Sequence, residues 1–341
     1  LKKLVDAWYR GSPWLGALKP LAALFRWQAE RRRKAYQRGQ KEAWIAPVPV
    51  IVVGNITVGG VGKTPLVSAI VRWAAEAGFK PGIVSRGYGG KAPYYPFAVT
   101  PNSDASQVGD EPLMLARRCG CPVVVDADRV AAVKFLLTEN DCDLVISDDG
   151  MQHYALGRDM EIAVVDGQRG LGNRQFLPAG PLREPVERLE SVDWVVVNGG
   201  DFSVDNRMQR MELQPARLVK LTTGENRAVD ALKVNGPVHA LAGIGNPQRF
   251  FDTLRKLGYQ LEVHPFDDHH AFKKEDMPAD DGKVIIMTEK DAVKCASIAD
   301  DRCWYLTVEP KLDGAFIETF QRQLKDLAGL KKLAAKEPLA R

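Results

Sequence analysis

Asn55-Ile56-Thr57-Val58-Gly59-Gly60-Val61-Gly62-Lys63-Thr64-Pro65 lies between two stretches of different period. Ahead of it, residues 48–53 form an apolar run bounded by prolines, the pattern of a parallel strand buried on both faces. Behind it, Leu66, Ile70, Trp73 and Ala77 recur at helical spacing and stop at Gly78. Strand, glycine loop, Gly-Lys-Thr and helix in that order is the layout of a phosphate cradle. Glycines at 59, 60 and 62 let the main chain of Thr57, Val58, Gly59, Gly60, Val61 and Gly62 approach an anion, and the helix start adds its positive end. Lys63 is placed to reach the outer phosphates and the Thr64 hydroxyl to hold a magnesium ion. The usual spacing has a glycine where Thr57 stands, so a tight turn with a solvated lysine is the competing reading. A dinucleotide fingerprint fits less well, because its third glycine would fall on Pro65.

The chain has 341 residues, enough for two domains, and the composition of an ordinary globular protein. Its net charge of +4 is unevenly placed: residues 1–43 carry +8 and the remainder −4. The basic character therefore belongs to an amino-terminal arm and not to a nucleic-acid-binding body. The five cysteines, an odd number without paired metal spacing, read as reduced thiols of a cytoplasmic protein.

Residues 1–44 interleave Trp8, Tyr9, Trp14, Trp27, Tyr36 and Trp44 with basic residues, and Trp14, Leu18, Leu21 and Phe25 fall at helical spacing. Lys19, Pro20 and Arg26 interrupt the apolar segments, so none spans a bilayer, and the basic cluster follows the apolar part, the wrong order for a signal peptide. A basic helix with aromatic anchors suits an anionic membrane surface. Packing on its own domain with a solvated basic face is the alternative.

From residue 48 strands and helices alternate. Strands are expected at 81–85, 123–126, 144–147, 162–166 and 194–198, and helices from 110 to 119 and from 129 to 137. That rhythm implies a mostly parallel sheet covered on both faces, with ligands at the carboxyl ends of its strands. Residues 207–221 read as two short extended pieces, a hinge or ribbon. A second series follows, with strands at 238–242, 260–264, 284–287 and 305–308 and helices at 247–257 and 315–327. The resulting division is an arm at 1–44, a P-loop nucleotide-binding domain at 45–206, the hinge, a smaller α/β domain at 222–330 and a tail at 331–341.

A phosphate cradle needs an acid for magnesium at the end of a neighbouring apolar strand, and Asp148-Asp149 after residues 144–147 supplies two. Adjacent carboxylates need a cation or donors nearby; helix capping is the alternative. Asp110-Glu111 is a second acidic pair, ahead of Pro112, where one carboxylate is explained by capping. Arg183 sits in the loop 177–185 and either binds phosphate or pairs with Glu184 or Glu187. In Asp267-Asp268-His269-His270 a role in proton transfer ranks above a metal site, because no other histidine has ligand spacing; a solvated turn is the alternative. In Thr288-Glu289-Lys290-Asp291 a helix cap is the safer reading.

Taken jointly, residues 55–65, Ser85-Arg86-Gly87-Tyr88-Gly89-Gly90, Gly109-Asp110-Glu111-Pro112, Asp148-Asp149-Gly150-Met151-Gln152-His153, the loop 177–185, Asp268-His269-His270 and Thr288-Glu289-Lys290-Asp291 resemble the tetraacyldisaccharide 4'-kinase family, the lipid A 4'-kinases of Gram-negative bacteria. The resemblance spreads over most of the chain, and the Thr57 mismatch belongs to the family pattern. It implies a two-domain P-loop kinase using ATP and Mg2+, which phosphorylates the 4'-hydroxyl of a lipid disaccharide 1-phosphate. The kinase would be peripheral on the cytoplasmic face of the inner membrane, with no obligate protein partner. By position it implies Asp110 as catalytic base, His269 as its dyad partner with His270 in reserve, and Thr64, Glu111, Asp148 and Asp149 on the magnesium side. Lys63, with Arg183, would neutralise the migrating phosphoryl group. Rival functions are a nucleotide-switch ATPase of the partition or metal-chaperone type, disfavoured because Asn55 to Gly59 lacks the extra lysine, and a soluble small-molecule kinase.

Overall fold

The computed structural model describes residues 2–203, 208–230, 236–268 and 270–336. Two helices, α1 (Lys2–Arg10) and α2 (Lys19–Gln37), form the amino-terminal arm, joined by a 3-10 turn. Then come β1 (Val50–Gly54), α3 (Lys63–Glu76), β2 (Pro81–Ser85), β3 (Phe97–Val99), α4 (Ala105–Val108), α5 (Asp110–Cys119), β4 (Val123–Val125), α6 (Arg129–Glu139), β5 (Leu144–Asp148), β6 (Met160–Asp166) and β7 (Trp194–Asn198). A long strand, β8 (Met208–Lys220), leads through β9 (Asn226–Ala228) to β10 (Val238–Ala242), α7 (Pro247–Lys256), β11 (Leu261–Pro265), β12 (Ile285–Thr288), α8 (Glu289–Cys295), β13 (Cys303–Lys311) and α9 (Gly314–Lys336).

The apolar runs become strands buried on both faces, as residues 50–54, 123–125 and 144–148 illustrate. Among the described residues one 13-stranded sheet runs through both halves in the order β11-β10-β12-β13-β8-β7-β6-β1-β5-β2-β4-β3, with β9 beside β8. β1 lies between β5 and β6, parallel to both, and Val53 is opposite Asp148. The strand carrying the acidic pair is thus the immediate neighbour of the strand feeding the glycine loop.

Residues 207–221 do not make the two short pieces expected. Residues 208–220 form one 13-residue strand. Its first residues pair parallel with β7, Met211 opposite Asn198, and the rest pair antiparallel with β13. The register slips at Ala216, between Arg217 opposite Thr307 and Pro215 opposite Val308, a bulge beside a proline that has no N–H to give. β10, β11 and β12 run parallel to β13, so they run against the strands of the first half. The carboxyl ends of the two sets of strands therefore point towards each other across one cleft.

The core divides by sheet face. α3, α5 and α9 cover one side of the first half, with Trp73, Phe316 and Phe320 in edge contact at 6.0–6.2 Å across α3 and α9. α2, α6 and the loop around Phe176 cover the other side. In the arm, Trp8, Leu15 and Ala22 are buried and Leu18 and Phe25 are partly buried, whereas Trp14, Leu21, Leu24 and Trp27 are exposed. The helical stripe is shared between the protein's own core and solvent.

α9 extends well past the expected helix at 315–327, and residues 337–341 of the tail lie outside the described residues. Its Phe320 is fully buried. Phe320→Ala is expected to cost about 3–5 kcal/mol in urea unfolding; a loss below about 1 kcal/mol would mean that α9 is not docked on α3.

Candidate active site

Asn55, the first residue past β1, is buried; its Nδ2 donates to the Thr57 carbonyl at 2.7 Å and its Oδ1 accepts from Lys63 Nζ at 3.3 Å and from Arg183. Thr57 bridges Leu182, and the Val58 N–H donates to the Pro181 carbonyl at 2.9 Å, so the loop begins as an extended segment that needs no glycine. The tight turning starts at Gly59 and Gly62, with φ of +103° and +95°. A Cβ on Gly62 would lie 2.4 Å from the Asn198 side-chain nitrogen, which donates to the Val61 carbonyl at 3.0 Å. Arg169, paired with Asp166 at 2.8 Å, donates to the Gly60 carbonyl at 2.5 Å. Neither Asn198 nor Arg169 carries a motif; their only sequence signal is a polar residue at or just past the end of an apolar strand. Lys63 and Thr64 then open α3.

The acidic pair at the end of β5 is split by its surroundings. Asp149 has φ +50°, a conformation aspartate tolerates at some cost, and lies 3.5 Å from Lys63 Nζ. It also accepts from Arg183 at 3.1 and 2.9 Å. Burial alone would raise its pKa, but Lys63 and Arg183 outweigh it and hold the carboxyl below the usual carboxylate range. Asp148 is fully buried. Ser85 Oγ donates to its Oδ2 at 3.2 Å, while its Oδ1 has no hydrogen-bond partner among the described residues. Burial first, then the charge of Glu111, push it up to about 7. The capping alternative does not hold, since a turn and not a helix follows. Arg183 is not paired with Glu184 or Glu187 as one sequence reading had it; it joins Asp149 and Asn55, and Glu184 accepts from the Tyr154 hydroxyl at 2.7 Å.

Two neighbours were not singled out as site residues from the sequence. Arg129 opens α6 almost fully buried, donates to the Asp126 carbonyl and, at 3.4 Å, to that of Asp148, and is pulled down to about 10 by burial. His153 is pulled down to about 4 by burial and by Arg129, Arg32 and Arg86, so it is neutral at pH 7.

On the same side of the cleft, Asp110 and Glu111 begin α5 behind Gly109, whose φ is +87°. Lys290 on α8 lies 3.9 Å from Glu111 and 3.2 Å from Asp268. Thr288 caps α8 by accepting from the Asp291 N–H at 3.1 Å, in keeping with the cap reading of that motif. His269 lies outside the described residues. His270 stacks on Phe266 at 4.8 Å and pairs with Asp276 at 3.0 Å. The separate group His239, Glu262 and Asp281 is served by Lys283, which contacts both carboxylates at 2.8 and 2.7 Å.

For magnesium the donors fit. Asp148 offers a buried oxygen without a hydrogen-bond partner, Thr64 and Glu111 add oxygens, and a hard cation of this kind takes few protein ligands and completes its shell with phosphate and water.

The profile of the tetraacyldisaccharide-1-P 4'-kinase family matches residues 14–325. A tetraacyldisaccharide 4'-kinase of Pseudomonas syringae pv. syringae is 47% identical over 326 residues, covering 96% of this chain and 98% of the relative. One from Pseudomonas fluorescens is 48% identical over 325 residues, covering 95% and 96%. The crystal structure of LpxK from Aquifex aeolicus in complex with ATP superposes with a TM-score of 0.79 at 26% identity, covering 92% of this chain and 99% of that one. The mostly parallel α/β sheet is thus of the P-loop type, and the chain belongs to the tetraacyldisaccharide-1-P 4'-kinase family and is a kinase.

Proposed function

We propose that the chain transfers the γ-phosphate of ATP to the 4'-hydroxyl of tetraacyldisaccharide 1-phosphate at the surface of the inner membrane. Residues 45–206 would hold the nucleotide, 222–330 would face the acceptor and 207–221 would be the hinge. The observation that carries the reading is the convergence of Lys63 and Arg183 on Asp149, beside a buried Asp148 with an unsatisfied oxygen. Both cations are held in place by an internal carboxylate. When nucleotide binds, the Gly59–Thr64 turn and Lys63 take its outer phosphates, and Arg183 exchanges Asp149 for a phosphoryl oxygen. Asp148, Thr64 and Glu111 would hold magnesium, which when bound neutralises charge on the phosphates. Asp110 accepts the proton of the attacking hydroxyl, supported by His269, and Asp149 stays ionised to keep Lys63 aligned.

Membrane placement is supported by the arm. Trp14, Leu21, Leu24 and Trp27 are 51–60% exposed beside Arg31 and Lys34, an apolar and basic face of the kind that rests on anionic lipid. No helix among the described residues is long and apolar enough to cross a membrane.

Lys63→Ala and Asp110→Asn are each expected to lower the transfer rate by about 10² or more in a radiolabelled ATP assay with the lipid acceptor; full activity of Asp110→Asn would remove it as the base. Asp148→Asn should separate stability from activity. An acid whose folded pKa is raised binds its proton more tightly when folded, so wild-type stability falls as pH rises from about 4 through 7. Without nucleotide and magnesium, the Asn variant should therefore melt higher than wild type at pH 8 while transferring phosphate at least about 10²-fold more slowly. A lower melting temperature at pH 8 would contradict the buried-charge account. Deleting the arm would remove buried Trp8 and Leu15 and uncover Val58 and Leu177, against which they pack, so its role is better tested by Leu21, Leu24 and Trp27→Ser together. Co-sedimentation with vesicles containing anionic lipid should drop several-fold; unchanged binding would rule out this face.

A further inference from the structure

Lys290 occupies an unusual place for a lysine. It lies in the first turn of α8, where the free amides of the helix start disfavour a cation, and its side chain is only 16% exposed. Two carboxylates from different parts of the chain offset that position: Asp268 at 3.2 Å, in the loop after β11, and Glu111 at 3.9 Å, in the first turn of α5. The base of the side chain is rigid. Thr288 caps α8, and the buried Asp291 accepts from the Gly243 N–H at 2.9 Å and pairs with Lys294 at 2.7 Å, tying the helix to the end of β10.

α5 and α8 lie side by side and are joined at two points. Near the carboxyl end of α5, Arg118 pairs with Glu289 at 2.9 Å and with Glu309 at 2.5 Å. At its start, Glu111 meets Lys290. α5 itself is fixed in the first half by Leu113, Leu115 and Ala116 in the core, so the two ion pairs, from the neighbouring residues Glu289 and Lys290, set where α8 rests along it and how it meets the residues that open α5, Asp110 and Glu111. Asp268 has a further neighbour in Gly245, where a Cβ would lie 3.4 Å from its Oδ2 and 3.9 Å from the Gly60 nitrogen. Asp268 therefore sits against the Gly245 loop, and it is that loop which faces the glycine loop.

We propose that Lys290 is a positioning residue for phosphoryl transfer, whose ammonium ties the acidic start of α5 in the nucleotide half to the Asp268 loop in the other half. Resting on the 4'-kinase reading, it assigns the Thr288-Glu289-Lys290-Asp291 motif a function beyond capping. Lys290 needs no contact with the reacting atoms; it sets how closely the Asp268 and Gly245 loops of the second half approach the acidic start of α5 and the glycine loop. A misplacement of about 1 Å in such a site costs on the order of 10²-fold in rate.

The test is steady-state transfer from ATP to the lipid disaccharide 1-phosphate by wild type, Lys290→Met, Lys290→Arg, Asp268→Asn and the Lys290→Met/Asp268→Asn double variant, with nucleotide affinity and thermal melting measured in parallel. Expected are a kcat loss of roughly 10- to 100-fold for Lys290→Met with KM for ATP within about threefold, recovery of most of the rate in Lys290→Arg, and a double variant hardly slower than the worse single one. Lys290→Met within about twofold of wild type, a loss carried by KM for ATP, or strictly multiplicative losses in the double variant would overturn the inference and leave the kinase reading standing. If Lys290→Met does not fold, Asp268→Asn decides by the same kcat criterion. Wild type that hydrolyses ATP but transfers nothing to the lipid would instead overturn the kinase reading itself.

Discussion

Strand β8 outruns β7, and that length organises the molecule. Its first residues complete the parallel sheet of the first half as far as Asn198 opposite Met211, and the remainder stands clear as an edge. β13 takes that edge antiparallel, so the second half is built onto the same sheet with its direction reversed. Parallel strands present their polar ends at one edge only. Reversal lets both halves contribute theirs to one cleft: Asn55, Asp148, Asp166 and Asn198 from one side, Gly243 and Thr288 from the other. The contacts that cross it follow from this arrangement, among them Arg249 donating to Asn198 at 2.9 Å and Arg118 reaching Glu289.

Within the cleft the electrostatics are arranged for an anionic ligand. Lys63 and Arg183 would be costly to hold together, partly buried, without a counter-charge. Asp149 supplies it and stays ionised because of them, whereas Asp148, one residue earlier, faces Ser85 and the protein interior and titrates near neutrality. Two adjacent carboxylates thus have different duties set by surroundings alone. One holds Lys63 and Arg183; the other keeps a buried oxygen with no hydrogen-bond partner among the described residues. Arg129 and the neutral His153 back this group from the far side.

Much of this was legible in the sequence, and the gaps have physical causes. Period and punctuation were enough for the alternating elements, because strands buried on both faces read as unbroken apolar runs and Gly62 and Gly78 mark turns. Residues 208–220 were misread because Pro215 interrupts the pattern, and nothing local says that a proline sits at a bulge in a strand that changes partners midway. The partner of Arg183 was missed for a related reason: Glu184 and Glu187 are its neighbours in sequence, but Asp149, 34 residues away, is its neighbour in space. Asn198, Arg169 and Arg129 are single polar residues at strand or helix ends and carry no motif that sets them apart from solvated tips. The arm showed a helical stripe, but only packing divides it into Leu18 and Phe25 against the core and Leu21 and Leu24 outside.

The central claim is that this cleft transfers the γ-phosphate of ATP to the 4'-hydroxyl of the disaccharide and releases ADP. The direct measurement is phosphorus NMR of the lipid recovered after incubating the protein with ATP, magnesium and tetraacyldisaccharide 1-phosphate. The account predicts a second phosphate monoester on the disaccharide, coupled to the proton at the 4' position. A lipid carrying only its original 1-phosphate while ATP is consumed, or a new phosphate at any other hydroxyl, would contradict it.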